Sequence, residues 1–100
     1  MTTHFDTAAE ELHLRGWYGL SFDRLRDWQG GGWDAWAQAL EGTVDLTGAP
    51  DAGYDGGLRV LGLTRSNGTI PKIVARGATP TEALAELVAT AITAPTAVAS

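Results

Sequence analysis

The side chains that could carry acid–base, nucleophilic or metal chemistry are few in this chain and widely spaced. His4 and His13 stand nine positions apart, whereas two metal ligands on one helix face need a spacing of three or four residues. The chain contains no cysteine, which removes thiol nucleophiles, thiolate metal ligands and disulfides. Ser21 falls in a predicted strand and Ser66 in a predicted turn, and no pattern marks either hydroxyl as activated. We therefore predict no catalytic residues, no metal site, no cofactor and no enzymatic activity.

Carboxylates are plentiful but show no fixed pairing that would set up a general acid and a general base. Those in the middle of the chain are Asp23, Asp27, Asp34, Glu41, Asp45, Asp51 and Asp55. The stretch 51–57 is rich in the oxygen ligands that calcium prefers, but it lacks the alternate ligand positions and the closing glutamate of an EF-hand. We interpret the carboxylates as a solvated acidic face. The alternative is that they present negative potential to a basic partner, as a nucleic-acid mimic does.

Tryptophans are dense around the first predicted hairpin. The chain has four, which are Trp17, Trp28, Trp33 and Trp36, and so small a domain has no room to bury them all. Exposed aromatic side chains beside arginines are typical of protein-binding hot spots. We therefore predict a protein-interaction surface made of Trp28, Trp33, Trp36, Arg24 and Arg26. The alternative is that these rings cover a sheet edge or the long loop within one molecule.

Composition and charge restrict the class of protein and its partners. A chain of 100 residues with 44% hydrophobic residues makes one domain. Its net charge of −5 argues against broad binding to nucleic acid or anionic membranes, because such binding uses lysine and arginine contacts to phosphate. The sequence has no apolar run near the roughly 20 residues of a membrane helix, and it begins without a signal-peptide pattern. We expect a cytoplasmic protein whose partner is another protein or a second copy of itself, with no small-molecule substrate.

The first part of the chain predicts a helix followed by a strand. Residues 6–15 form a helix with a narrow apolar edge that ends at a glycine. Within 17–26, Tyr18, Leu20 and Phe22 alternate with small or polar residues, as in a strand with one buried face. A run of three glycines then predicts a turn.

Segment 33–40 allows two interpretations. As a strand it places on one face Trp33, Ala35, Ala37 and Ala39. As a helix it places on one face Trp33, Trp36, Ala37 and Leu40. Alanine favours the helix, whereas tryptophan and the preceding glycine turn favour the strand. We favour the strand, paired with the strand before the turn.

A long loop and a hairpin follow. Residues 42–57 are rich in glycine, aspartate, threonine and proline, and they predict a flexible loop longer than the usual connection. Strands are expected over 58–64 and 69–76. The turn between them contains Asn67-Gly68, and Asn-Gly is the preferred pair for a tight type I′ hairpin.

A capped helix start is the clearest local signal in the chain. Thr79 suits the N-cap and Pro80 the first helical position. Glu82 lies where its carboxylate can accept from the Thr79 N–H and close a capping box. The apolar residues that recur at helical spacing are Leu84, Leu87, Val88 and Ala91. This stripe predicts that the helix packs against the preceding strand.

Together these elements predict one α+β domain over 1–93 with a disordered tail over 94–100. We expect a small antiparallel sheet of three or four strands. An N-terminal and a C-terminal helix should pack on one of its faces, because both carry a single apolar side.

The last strand and helix resemble the closing unit of HicB-like antitoxin domains. The residues that carry the resemblance are Gly77, Thr79, Pro80, Glu82, Ala83 and Leu84. The order of elements is also similar to that of double-stranded-RNA-binding domains. That family uses lysines at the start of its last helix to contact phosphates, where this chain has Thr79, Thr81 and Glu82. The resemblance implies the same architecture and suggests an antitoxin or a nucleic-acid-associated regulator.

The residues and the resemblance thus give two hypotheses of function. The first is a non-enzymatic protein-interaction module that binds a larger protein, of the kind expected for a phage or mobile-element accessory protein. The alternative is a HicB-like antitoxin or nucleic-acid-associated regulator, which predicts a cognate small toxin encoded alongside.

Overall fold

Two α-helices, one short 3₁₀ helix and six strands make up the part of the chain that the structure describes. The computed structural model describes residues 4–97. In chain order the elements are α1 (His4–Leu14), β1 (Trp17–Arg24), a short 3₁₀ helix (Asp27–Gln29), β2 (Trp33–Ala39), β3 (Tyr54–Asp55), β4 (Leu58–Arg59), β5 (Gly62–Ser66), β6 (Ile70–Gly77) and α2 (Pro80–Thr93). The fold is therefore α+β, as predicted.

Four strands form one antiparallel sheet in the order β1-β2-β6-β5, while β3 and β4 form a separate hairpin. Segment 33–40 contains a strand, which confirms the favoured interpretation. Ala35 lies opposite Ala75 and Ala37 opposite Ile73 in the pairing of β2 with β6. Every second residue of β2 therefore faces the same side of the sheet.

One face of this sheet carries the hydrophobic core, and both helices pack on that face. Its buried residues are Leu12, Trp17, Ala35, Ala37, Ala39, Ile73, Ala75, Ala83, Leu84, Leu87 and Ala91. The small alanines of β2 and β6 let α2 approach the sheet closely, and Leu84 and Leu87 fill the space between the two layers. Leu12 of α1 completes the core beside α2 and β1.

The prediction of one strand over 58–64 is wrong, because the chain changes partners within it. β4 pairs with β3, whereas β5 pairs with β6. Between them the Val60 N–H donates to the Gly53 carbonyl at 3.0 Å, and Gly62 takes a positive φ of 90°. The β3–β4 hairpin is thereby separated from the main sheet.

The predicted turn at Asn67-Gly68 is confirmed, although Ser66 pairs with Ile70 and the loop therefore spans the three residues 67–69. Asn67 and Gly68 both take positive φ, of 53° and 83°, which a type I′ turn requires at its two central residues. The Thr69 N–H donates to the Ser66 carbonyl at 3.3 Å and closes the turn.

A β-bulge in β1 changes which side chains face the core. The register with β2 shifts just after Tyr18, where Gly19 has a φ of 69° that glycine adopts readily. The alternation predicted Tyr18 on the buried face with Leu20 and Phe22. The structure buries Trp17 instead and leaves Tyr18 exposed, because the extra residue in the bulge reverses the side-chain direction on its N-terminal side.

The cap of α2 differs from the predicted capping box in one hydrogen bond. The Glu82 N–H donates to Thr79 Oγ1 at 3.1 Å, as expected for the N-cap. The Glu82 carboxylate accepts from the Ala78 N–H at 3.0 Å, whereas the sequence predicted the Thr79 N–H. Thr79 is extended, with φ −131° and ψ 161°, as N-cap residues usually are.

Hydrogen bonds hold the long connection that was predicted to be flexible. The hydroxyl and the N–H of Thr47 both donate to Asp45 Oδ1, at 2.7 and 2.9 Å. These bonds lower the pKa of the Asp45 carboxyl. Further along, the Ala52 N–H donates to the Arg65 carbonyl and the Arg65 N–H to the Pro50 carbonyl. The end of the connection therefore runs along the outer edge of β5.

The first four residues of the predicted tail are paired with the same connection. The Asp45 N–H donates to the Pro95 carbonyl at 2.9 Å, and the Ala97 N–H donates to the Thr43 carbonyl at 3.2 Å. These bonds place 94–97 beside the end of β2. The remaining tail residues, 98–100, lie outside the described residues.

Candidate functional site

The five residues of the predicted interaction surface are divided between different parts of the molecule. Trp33 and Trp36 lie on opposite faces of β2; Trp33 packs against the core, while Trp36 is half-buried on the other face. Arg24 lies opposite Trp33 in the pairing of β1 with β2. Trp28, on the 3₁₀ helix, is 68% exposed, and Arg26 is exposed just before that helix. No single face therefore displays all five.

Trp36 belongs to a cluster on the sheet face that points away from the helices. We call this the charged-aromatic cluster; its members are Asp23, Trp36, Tyr54, Arg59 and Lys72. Asp23 Oδ2 accepts from the Trp36 indole N–H at 3.3 Å and from Arg59 Nη2 at 2.5 Å. Arg59 Cζ lies 5.3 Å from the ring centroids of both Trp36 and Tyr54, and Lys72 Nζ lies 4.5 Å from that of Trp36. Trp36 thus binds two cations through its ring.

The β3–β4 hairpin covers this cluster and is attached to the 3₁₀ helix. Gln29 Nε2 donates to the Gly57 carbonyl at 3.0 Å. The Trp28 ring packs so closely on Gly57 that a Cβ atom there would lie 2.9 Å from Trp28 Cζ3. Gly57 also has a φ of 85°, a conformation that favours glycine, and the indole lies in the space that a side chain there would enter. Trp28 and Trp36 therefore both contact the hairpin region, Trp28 at Gly57 and Trp36 at Arg59.

A buried ion pair lies beside the cluster on the same sheet face. Asp34 is 1% exposed and accepts two hydrogen bonds from Arg76, from Nε at 2.7 Å and from Nη2 at 3.2 Å. Asp34 also lies directly opposite Asp23 in the pairing of β1 with β2. Opposed like charges destabilise a sheet, and here each carboxylate has its own arginine, Arg76 for Asp34 and Arg59 for Asp23.

A cleft of about 150 Å³ opens between the hairpin and the sheet. Its lining residues are Ala52, Gly53, Tyr54, Arg59, Val60, Ser66, Lys72 and Val74. Arg59 and Lys72 are the charged residues of the lining. Burial lowers the pKa of the Lys72 ammonium, Arg59 acts in the same direction, and Asp23 opposes them. Sequence reasoning missed this cleft because Arg59 reaches Lys72 only through the folding of the hairpin over the sheet.

We expect direct titration of Lys72 to give a pKa below its usual 10.5. Lys72 is the sole lysine of the chain, so reductive methylation with ¹³C-formaldehyde leaves one lysine signal to follow by NMR. Between the folded-state pKa and 10.5 the unfolded chain binds this proton more tightly, so the free energy of unfolding should rise with pH across that interval. Below the folded-state pKa, Lys72 is charged in both the folded and the unfolded chain, and burial of the ammonium lowers the free energy of unfolding by its full amount. A pKa of the methylated Lys72 at or above that of the same group in the urea-unfolded chain would contradict the burial of the ammonium.

Exposed large apolar side chains gather where the ends of four elements meet. Four such residues border two adjoining grooves: Leu14, Tyr18, Leu40 and Ile92. Tyr18 and Leu40 line a groove of about 450 Å³, and Leu14 and Ile92 line one of about 500 Å³. Gly16 and Trp17 line both grooves. We call the four exposed residues Leu14, Tyr18, Leu40 and Ile92, together with the two grooves that they border, the apolar end surface.

Sequence reasoning missed the apolar end surface because its members are far apart in the chain. Leu14 ends α1, Leu40 follows β2 directly, and Ile92 lies near the end of α2. Each lies at the end of a regular element, where periodicity no longer indicates burial. The signal that the sequence does carry is a large apolar residue placed at the end of an element, where exposure is expected. Leu14 and Leu40 are 72% and 65% exposed.

The charged side chains that line the two grooves are basic or imidazole groups. His13 lines the first groove and Arg15 the second, and no carboxylate is among the described lining residues of either. Arg15 Nε also binds Glu11 Oε1 at 2.7 Å in an exposed pair one helical turn apart. The rim of the apolar end surface therefore carries the N–H donors of His13 and Arg15, and the Arg15 guanidinium is shared with Glu11.

Comparisons of this chain with protein-family models, with curated proteins and with solved structures give no match. Within residues 4–97, no group of three or more histidine, aspartate or glutamate side chains is placed to hold a metal ion. No helix in that same range is long and apolar enough to cross a membrane.

Proposed function

We propose that this chain is a small non-enzymatic protein-interaction module that binds a larger protein through the apolar end surface. The observation that carries the proposal is the grouping of Leu14, Tyr18, Leu40 and Ile92 around two adjoining grooves. Contiguous exposed apolar side chains with a polar rim are typical of protein-interaction sites. The buried Trp17 gives both grooves a rigid aromatic wall, of the kind that anchors binding hot spots.

The rim chemistry indicates what the partner presents. His13 and Arg15 favour a segment whose apolar side chains are flanked by a carboxylate. A second copy of this chain fits less well, because a twofold interface sets each patch against itself. Such an interface pairs each residue with a different residue of the other copy, and no carboxylate among the described groove-lining residues could then meet His13 or Arg15. We therefore infer that the partner is a different protein with an apolar segment next to acidic residues.

Leu40→Asp should weaken binding of that partner at least tenfold. Removing a carboxylate from water when the partner covers the apolar groove should cost about 1.4 kcal/mol or more of binding free energy. The partner is isolated by affinity capture with the wild-type protein from nuclease-treated lysate of the source cells. It is then purified and titrated against the variants by calorimetry. Leu40 is exposed, so the melting temperature should not change.

Two control variants make this test specific. Leu61→Asp changes an exposed leucine that lies outside both grooves, and it should bind like the wild type. Trp28→Ala removes the exposed tryptophan of the surface predicted from the sequence. Loss of binding in Trp28→Ala together with normal binding in Leu40→Asp would move the site to the tryptophan and refute the apolar end surface.

The HicB-like or nucleic-acid-associated alternative gives a different result in the same experiment. Its complexes would disappear when the lysate is treated with nuclease, or would contain one small toxin encoded beside this chain. Self-association that Leu40→Asp abolishes would instead assign the apolar end surface to a second copy.

A further inference from the structure

The cleft between the β3–β4 hairpin and the sheet contains hydrogen-bond donors without acceptors. Within residues 4–97, the Lys72 ammonium contacts the Trp36 ring and has no hydrogen-bond or ion-pair partner. The Ser66 hydroxyl lines the same cleft, and it too makes no hydrogen bond to a described residue. An ammonium has three donors and no acceptor, so a partly buried one without a partner favours binding of an anion.

The charges around the cleft do not cancel. Asp23 balances Arg59 through their ion pair, and this leaves the charge of Lys72 uncompensated. None of the described residues that line the cleft is an aspartate or glutamate. A local excess of positive charge is unusual in a chain whose net charge is −5. The Arg59 guanidinium is held in place by the two aromatic rings that it contacts, those of Trp36 and Tyr54.

We propose that this cleft binds a small oxyanion of the phosphate class between Lys72 and Arg59, with the Ser66 hydroxyl as a third donor. A planar guanidinium and an ammonium are the usual protein partners of phosphate oxygens. Three donor side chains, on β4, β5 and β6, line this one cleft, and they suit a tetrahedral anion with at least three oxygens better than a carboxylate with two. The cleft of about 150 Å³ has room for the anionic group and a short substituent that leaves past the exposed Tyr54 ring.

The phosphate group can be free or part of an ester, and the chemistry of recognition is the same. The cleft shares no lining residue with the apolar end surface. The proposal is therefore independent of the proposed protein-interaction function, and a failure of one leaves the other standing.

The test is an NMR titration of the ¹⁵N-labelled protein with inorganic phosphate and with O-phosphoserine, at constant ionic strength. We expect saturable shifts for the amides of Arg59, Ser66 and Lys72, and a rise of the Lys72 pKa because the bound anion stabilises the ammonium. Tighter binding of O-phosphoserine would identify an ester as the ligand. Tighter binding of inorganic phosphate would identify the free ion. Acetate at the same ionic strength should bind more weakly than either.

Lys72→Met keeps the apolar stem of the side chain and removes the charge. It should weaken phosphate binding about tenfold or more, because a charge-assisted hydrogen bond is lost. Arg26→Gln removes one positive charge from an exposed side chain that lines neither cleft nor groove, and it should bind phosphate like the wild type. Ser66→Ala gives a second test should Lys72→Met fold poorly. Equal phosphate affinity in the wild type, Lys72→Met and Ser66→Ala would refute the site. Equal binding of acetate and phosphate would refute it as well.

Discussion

Asp34→Ala is expected to lower the free energy of unfolding by about 3 kcal/mol, at the lower end of the range of about 3–5 kcal/mol for breaking a buried ion pair. Asp34 is 1% exposed and is bound by two N–H groups of Arg76. Its loss leaves the Arg76 guanidinium without an acceptor beside the sheet. The lower end of the range applies because 24% of the Arg76 side chain is exposed and water can reach it after the substitution.

Urea denaturation followed by tryptophan fluorescence measures this loss. Glu41→Ala is the matched control, because it removes the same charge from an exposed residue and should leave stability within about 0.5 kcal/mol of the wild type. The double variant Asp34→Leu, Arg76→Leu removes both charges and should recover most of the lost stability. A loss below about 1 kcal/mol in Asp34→Ala would place the pair among surface ion pairs and contradict its burial.

Sequence patterns within a few consecutive residues predict most of the helices, strands and turns. The alternation in 33–40 placed Trp33 and Trp36 on opposite faces of a strand, and the structure confirms this. Asn67-Gly68 predicted the hairpin turn, and Thr79 the helix cap. These features follow from neighbouring residues alone, because φ preferences and capping hydrogen bonds involve positions only a few residues apart.

Features that depend on distant residues were not predictable in the same way. Asp34 and Arg76 are 42 positions apart, and Asp23 and Arg59 are 36 apart. Nothing near Arg59 in the sequence indicates that its hairpin leaves the sheet and folds over the opposite face. The bulge at Gly19 is a similar case, because glycine permits a positive φ without requiring one. The cleft and the apolar end surface both arise from such meetings of distant segments.

Gly77→Ala is expected to lower the free energy of unfolding by about 3 kcal/mol, the upper part of the range for an overpacked site. A Cβ atom on Gly77 would lie 2.4 Å from Ala83 N and 2.7 Å from the carbonyl carbon of Glu82. Both are backbone atoms in the first turns of α2, so no side-chain rotation can relieve the contact. Gly77 does not have a positive φ; its constraint is space, since α2 begins directly over the end of β6.

Gly53→Ala provides the control that separates space from backbone freedom. Gly53 also lacks a positive φ, but a Cβ atom there would meet nothing within 4 Å. This substitution should be neutral or stabilise by up to about 1 kcal/mol, because alanine restricts the unfolded chain. Hydrogen exchange locates the effect of Gly77→Ala: the Ala83 N–H, which donates to the Thr79 carbonyl at 2.9 Å, should lose protection before the amides of β2. Wild-type stability in Gly77→Ala would mean that α2 can move away from β6, and the close packing of helix on sheet would then not be what fixes the position of this helix.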